Sequence, residues 1–106
     1  MPKYLLHVNY IGEGIKGLLN EGGSSRRAAA EGAAKSVGGS LESMYFAFGD
    51  TDCYAIADMP NHHAATALSM TLNSSGRVSV KATVLMTAED VDAAVKLSPS
   101  YRAPGQ

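Results

Sequence analysis

Three segments of this chain hold side chains whose types and spacing could do chemistry. The first is Gly22-Gly23-Ser24-Ser25-Arg26-Arg27. A helix starting there would offer free backbone N–H groups and the positive end of its dipole, both of which favour an anion. Ser25, Arg26 and Arg27 would add side-chain donors. Two cations in a first helical turn oppose the dipole unless something negative sits beside them. The plainer alternative is a loop, a cap and a solvated pair in which Glu31 answers Arg27. The Gly-Lys-Ser/Thr ending of a P-loop is absent, so no nucleotide is implied. The second segment carries His7 and Asn9, two residues apart on one face of a strand. A histidine titrating near neutrality could act as a base, and an asparagine could orient a substrate carbonyl. The alternative is a pair of polar groups satisfied at a sheet–sheet interface. The third is an aromatic group, Tyr45, Phe46, Phe48 and Tyr54. A Tyr45 phenol in a pocket could hydrogen-bond or shield a small ligand; core packing is the competing role.

Other residues point to less. His62 and His63 are adjacent, so on a helix they diverge by about 100° and rarely share a metal. No His-x-x-x-His or carboxylate spacing accompanies them, and neither a metal nor a cofactor is implied. Cys53 is the one cysteine, which forbids an intrachain disulfide and makes a reducing, cytoplasmic setting the expectation. With no histidine near it in sequence, it reads as a buried, inert thiol. Asp50 and Asp52 read as turn residues, and Met44, Met59, Met70 and Met86 as core filler. The net charge of -1 lacks the basic excess that nucleic-acid binding requires. No apolar run approaches about 18 residues, so no membrane partner is expected. The first residues also lack the apolar core of a signal peptide.

These residues need elements to place them. Lys3 to Tyr10 alternates, with Tyr4, Leu6, Val8 and Tyr10 on one face of a strand and Leu5, His7 and Asn9 on the other. Ile15, Leu18 and Leu19 suit a short helix over 13–20. Ser24 or Ser25 can cap a second helix reaching about Val37, stopped by Gly38-Gly39. Arg27, Glu31 and Lys35 would lie along its surface. Two strands, 43–48 and 53–58, flank the turn Gly49-Asp50-Thr51-Asp52, a hairpin pattern. Asn61 can cap a helix with Ala64, Ala65, Leu68 and Leu72 on its apolar side. A strand over 77–86 places Val78, Val80, Ala82 and Val84 on one face. Thr87 to Asp90 resembles a capping box for a last helix carrying Val91, Ala94 and Val95. Residues 1–97 then form one domain, and 98–106, with two prolines and a glycine, an irregular tail. The order predicts an α+β, ferredoxin-like βαββαβ sandwich: an antiparallel four-stranded sheet, two main helices on one face, and an added C-terminal helix. The sheet's other face is half-apolar, which predicts a homodimer or larger assembly with sheets packed face to face. The run Ala28–Ala34 is nearly free of bulky side chains. Such a helix either lies close to the sheet or leaves a hollow beside the strand aromatics, near Arg26 and Arg27.

Along nearly its whole length the chain resembles the GYD-domain proteins. The resemblance rests on Tyr4-Leu-Leu-His-Val-Asn9-Tyr10, Gly14-Ile15, Ser25-Arg26-Arg27, Gly38-Gly39, Tyr45 and Gly49-Asp50-Thr51-Asp52. It departs at Thr51, which stands where the name-giving tyrosine usually sits, so no role tied to that tyrosine carries over. The resemblance implies a ferredoxin-like fold of the dimeric α/β-barrel type and no particular activity. Related barrels include cofactor-independent monooxygenases, haem enzymes and ligand-binding regulators, an analogy at the level of fold alone. Three readings follow. The first is a homo-oligomeric module for a small, partly apolar or anionic ligand held by Ser25, Arg26 and Arg27, with Tyr45 and His7 lining the cavity. The second is a cofactor-independent enzyme of the monooxygenase or isomerase type, with His7 as base and Asn9 as orienting donor. The third is a purely structural assembly protein. A closed gap between helix and sheet favours the third. A pocket without a usable base favours the first, and a pocket containing His7 the second.

Overall fold

Alternation in the first strand decides which side of the sheet is buried. In the computed structural model, which describes residues 1–106, β1 (Lys3–Tyr10) is an inner strand of a four-stranded sheet. The sheet order is β2-β3-β1-β4, where β2 is Ser40–Phe46, β3 Cys53–Asp58 and β4 Val78–Leu85, and every pairing is antiparallel. The helices are α1 (Gly14–Glu21), α2 (Gly23–Ser36), α3 (His62–Ser74) and α4 (Ala88–Val95). The element order and strand order are those of a ferredoxin-like α+β fold. Register places Tyr4 opposite Ala57, Leu6 opposite Ala55 and Val8 opposite Cys53, so these pairs share one face. That face meets α2 and α3. Its core is Tyr4, Ala57, Met59 and Leu68, with Leu6, Ala33, Val37, Ala64, Ala65 and Leu72 packed around it.

Local chemistry explains where the elements begin and end. Asn61 caps α3 by accepting the Ala64 N–H at 2.9 Å, and Thr87 and Asp90 complete a reciprocal capping box on α4. The start of α2 differs from expectation. The helix begins at Gly23 with Gly22 as its cap, and no side chain caps it. The hydroxyl of Ser25 instead donates back to the Glu21 carboxylate at 3.0 Å. The hairpin strands also shift: β2 runs Ser40–Phe46, with a bulge near Glu42, and Phe48 lies beyond it, fully exposed. Gly39 is required by packing, because a Cβ there would meet the Asp58 carbonyl oxygen at 2.5 Å and the Met59 sulfur at 2.6 Å.

The opposite face of the sheet carries no helix. His7 sits between Tyr54 and Lys81 in the register, flanked by Leu5 and Asn9, and Tyr45 pairs with Tyr54. At one end Lys3 bridges Glu42 at 2.6 Å and Asp58 at 2.9 Å. Beyond β4, every residue of α4 is exposed. The molecule is drawn out to 57 × 33 × 22 Å, with a radius of gyration of 16.9 Å, against about 13 Å for a compact chain of this size. No helix is long and apolar enough to cross a membrane.

Candidate functional site

Small side chains on two facing elements leave space. Arg26, Ala29, Ala30, Ala33 and Ala34 recur at helical spacing along α2 and look onto the sheet. Across from them stand Cys53, Ala55 and Ala57 of β3, which share the inward face. Leu6, Val8, Leu41, Met44, Leu68 and Leu72 complete the walls of a cavity of about 70 Å³. A single water needs about 10–15 Å³, so the space suits several atoms. Arg26 is the one charged residue in its lining.

Arg26 and Tyr10 stand at the boundary between this cavity and a second, more polar groove of about 360 Å³. Glu21, Thr71, Ser75 and Arg77 line the outer groove. The Arg26 guanidinium lies 3.8 Å from the Glu21 carboxylate, a loose pairing. Arg77 makes no ion pair at all. Its backbone is pressed against α1: a Cβ on Gly14 would overlap the Arg77 carbonyl, so only glycine permits this approach. The arrangement is an apolar hollow with a cation-bearing mouth.

A clamp holds Tyr10 in place. Its N–H donates to the Asp52 carboxylate at 2.9 Å. The Asp52 N–H in turn donates to the Asn9 side-chain oxygen at 2.9 Å and to the Val8 carbonyl at 3.1 Å. Burial raises the Tyr10 phenol above its usual range, Cys53 adds to the effect, and Arg26 opposes it. Burial, with Asp52 nearby, likewise raises the Cys53 thiol. Both groups therefore keep their protons near neutrality. Arg26 is a permanent cation. The cavity thus contains no general base and no thiolate nucleophile at neutral pH.

The sheet divides the residues singled out from sequence. Arg26 lines the cavity. Ser25 is exposed and bonded to Glu21, and Arg27 points to a shallow surface groove shared with Glu31 and Tyr45. Because α2 starts at Gly23, both arginines lie past its first turn, and the Arg26 N–H already donates to Gly22 at 3.3 Å. Ser25, Arg26 and Arg27 therefore form no single anion cradle. Tyr45 is 72% exposed and, like His7, lies on the open face, so neither lines the cavity. His7 makes an edge contact with Tyr54, ring centroids 5.5 Å apart, and its Nε2 is 3.4 Å from the Thr83 hydroxyl. The side-chain oxygen of Asn9 is engaged by Asp52 rather than aimed at a ligand. Phe46 turns to the α2 side, close to Gly23. Sequence reasoning missed Tyr10 and Arg77. Tyr10 carried a signal, as the last inward residue of a strand and next in space to an alanine-rich helix. Arg77 carried none, since its closeness to Tyr10 comes from β1–β4 register.

The fold and this hollow define a ferredoxin-like α+β protein with a cavity between its first long helix and its sheet. The family model for the GYD domain matches residues 4–95, and the chain belongs to the GYD-domain family. Thr51, in the Gly49-Asp50-Thr51-Asp52 segment, is buried at the turn before β3. No curated protein and no solved structure matches the chain.

Proposed function

We propose that this protein is a self-associating module that binds a small, partly apolar anion. One observation carries the reading: an otherwise apolar cavity has a single charged residue, Arg26, at its mouth. A half-buried guanidinium paired only loosely, with Glu21 at 3.8 Å, favours a carboxylate, which can accept two parallel N–H bonds. The ligand's apolar end would enter the alanine-lined hollow, and its charge would stay with Arg26, Tyr10 and Arg77. Enzymatic proton abstraction has less support, because His7 lies across the sheet and the cavity's own titratable groups hold their protons. Self-association is supported by the open face, where Leu5, Ile56, Tyr45 and Tyr54 lie uncovered by any helix. A second copy packed sheet to sheet would cover them.

Native mass spectrometry of gently purified protein is the test. A reproducible added mass on multiples of the subunit, lost in Arg26→Ala, is the expected outcome. Short-chain and aromatic carboxylates should then raise the melting temperature of the native protein, with affinity falling about tenfold or more in Arg26→Ala. Equal binding by Arg26→Ala would sink the anion site, and a bare monomer at every concentration would sink the self-association.

A further inference from the structure

The C-terminal segment Met86–Gln106 is out of keeping with the rest of the chain. It carries Val91, Val95, Leu97 and Tyr101, each between 48% and 79% exposed. Its helix α4 is complete, with a formed capping box, yet spans only Ala88–Val95. Isolated helices shorter than about 12–15 residues are marginal in water. A helix this short, with valines on one side and no packing beneath it, needs an apolar surface to lie on. Its own domain does not cover it: α4 follows β4 after only Met86 and Thr87, and every one of its residues is exposed.

A matching surface exists elsewhere on the fold. Beside α3, the second half of β4 leaves Ala82 and Val84 exposed on the helix side of the sheet. With Met70, Ala65 and Tyr4 they form a groove of about 390 Å³. Met70 and Val84 are 63% and 62% exposed there. His62 closes one end, beside His63 and the positive end of the α3 dipole. Helix α4 is complementary in each respect. Ala88, Val91 and Val95 fall at the i, i+3, i+7 spacing of a groove-binding helix, and they are small enough for a shallow floor. Glu89 and Asp92 flank that stripe and have no ion-pair partner.

We propose that Met86–Gln106 is an exchanged arm whose helix α4 docks in the α3–β4 groove of a second copy. The proposal rests on the self-association reading and names a contact that the open sheet face does not include. Two surfaces that each lack a cover on one chain are both covered when two chains trade arms. Reciprocal exchange also brings the interface towards the 20–30 residues a side typical of stable complexes, about what a specific assembly requires.

Hydrogen exchange on the full chain tests it, read by mass spectrometry at about 50 µM and after dilution to about 0.5 µM, because a contact between copies depends on concentration. The expected result is α4 amides that exchange at least tenfold slower than an unstructured peptide at the higher concentration and lose that protection on dilution. The groove double variant Met70→Glu/Val84→Glu should also release α4 while β1 stays protected, which shows the domain still folds. Unprotected α4 at both concentrations overturns the arm. So does protection that persists in the diluted monomer, which would place α4 on its own chain. Protection indifferent to the groove variant overturns the docking site. Native mass separates this proposal from the one beneath it: Val91→Asp/Val95→Asp remaining dimeric, with α4 unprotected in the wild type, sinks the arm and leaves sheet-to-sheet association standing.

Discussion

Cys53 is completely buried and faces the cavity between Val8 and Ala55, so its thiol is a wall atom before it is a reagent. Burial raises its pKa above the ordinary 9.0 and that of Tyr10 above 10.0. A raised folded-state value means the folded chain holds the proton more tightly than the unfolded one. Stability from these groups is therefore fully present below about pH 9 and is lost as pH rises through the folded values. Lys3, raised by its bonds to Glu42 and Asp58, acts in the same direction at still higher pH. Urea melts should show a plateau from neutrality to about pH 8.5 and a fall above it, with the fall reduced in Tyr10→Phe. A midpoint still rising beyond pH 9 would contradict this. An alkylating reagent at pH 8 should leave native Cys53 intact while modifying urea-unfolded protein at once. At this scale the sequence showed which residues were unusual but not where they aim. Arg26 and Arg27 look alike in sequence, and about 100° of helical rotation sends one to the cavity and the other to the surface. Asn9 and Asp52 are far apart in the chain, and only antiparallel register makes them one clamp around Tyr10.

Helix α2 is the element that creates the site. Its alanines were legible as a hollow or a close approach, and the structure shows the hollow, because β3 also presents small residues where a larger side chain would have filled it. Ala30→Leu should occupy that space, raising stability by roughly 0.5–2 kcal/mol while abolishing carboxylate binding. A loss of about 1–3 kcal/mol would instead show that the cavity cannot accept added methylenes. Thermal melts with and without ligand read both effects. Helix α1 has a positioning role: its first residue, Gly14, lies against the Arg77 carbonyl. Gly14→Ala should cost about 3 kcal/mol, since neither backbone can yield easily, and should weaken binding further by displacing Arg77 from the outer groove. Wild-type stability in this variant would mean that the contact relaxes freely. Strands and caps were the legible part of the elements, since they rest on period-2 alternation and on Asn61 and Thr87 chemistry. The start of α2 was not, because two serines looked like caps, whereas Gly22 makes the turn from α1 and Ser25 bonds backwards to Glu21.

For the molecule as a whole, the decisive quantity is how little of it is buried. Eleven of 106 residues are buried, and the largest of those with almost no exposure are Met59 and Cys53. Most aromatics, which normally dominate a core, lie outside it here: Tyr4 is buried, but Tyr45, Phe48, Tyr54 and Tyr101 are all exposed. The half-apolar face was legible from strand alternation, but the projecting α4 was not, since its sequence is that of an ordinary amphipathic helix and only the fold shows that nothing lies under it. A domain of this size draws its stability from buried apolar area, and this one leaves much of its apolar area exposed; under the proposed self-association a second copy would cover it. Its stability should therefore be linked to its concentration. Dilution from about 100 µM to about 1 µM should lower the melting temperature by several degrees, because binding of a second copy stabilises only the folded state. The loss should be smallest in Tyr45→Glu/Tyr54→Glu, where both changes fall on the open face and leave the helix-side core untouched. That variant should melt lower than wild type at high concentration and converge with it at low concentration, where both are monomeric. A melting temperature independent of concentration, equal in both proteins, would show that the monomer's small core suffices and that the open face serves something other than a second copy.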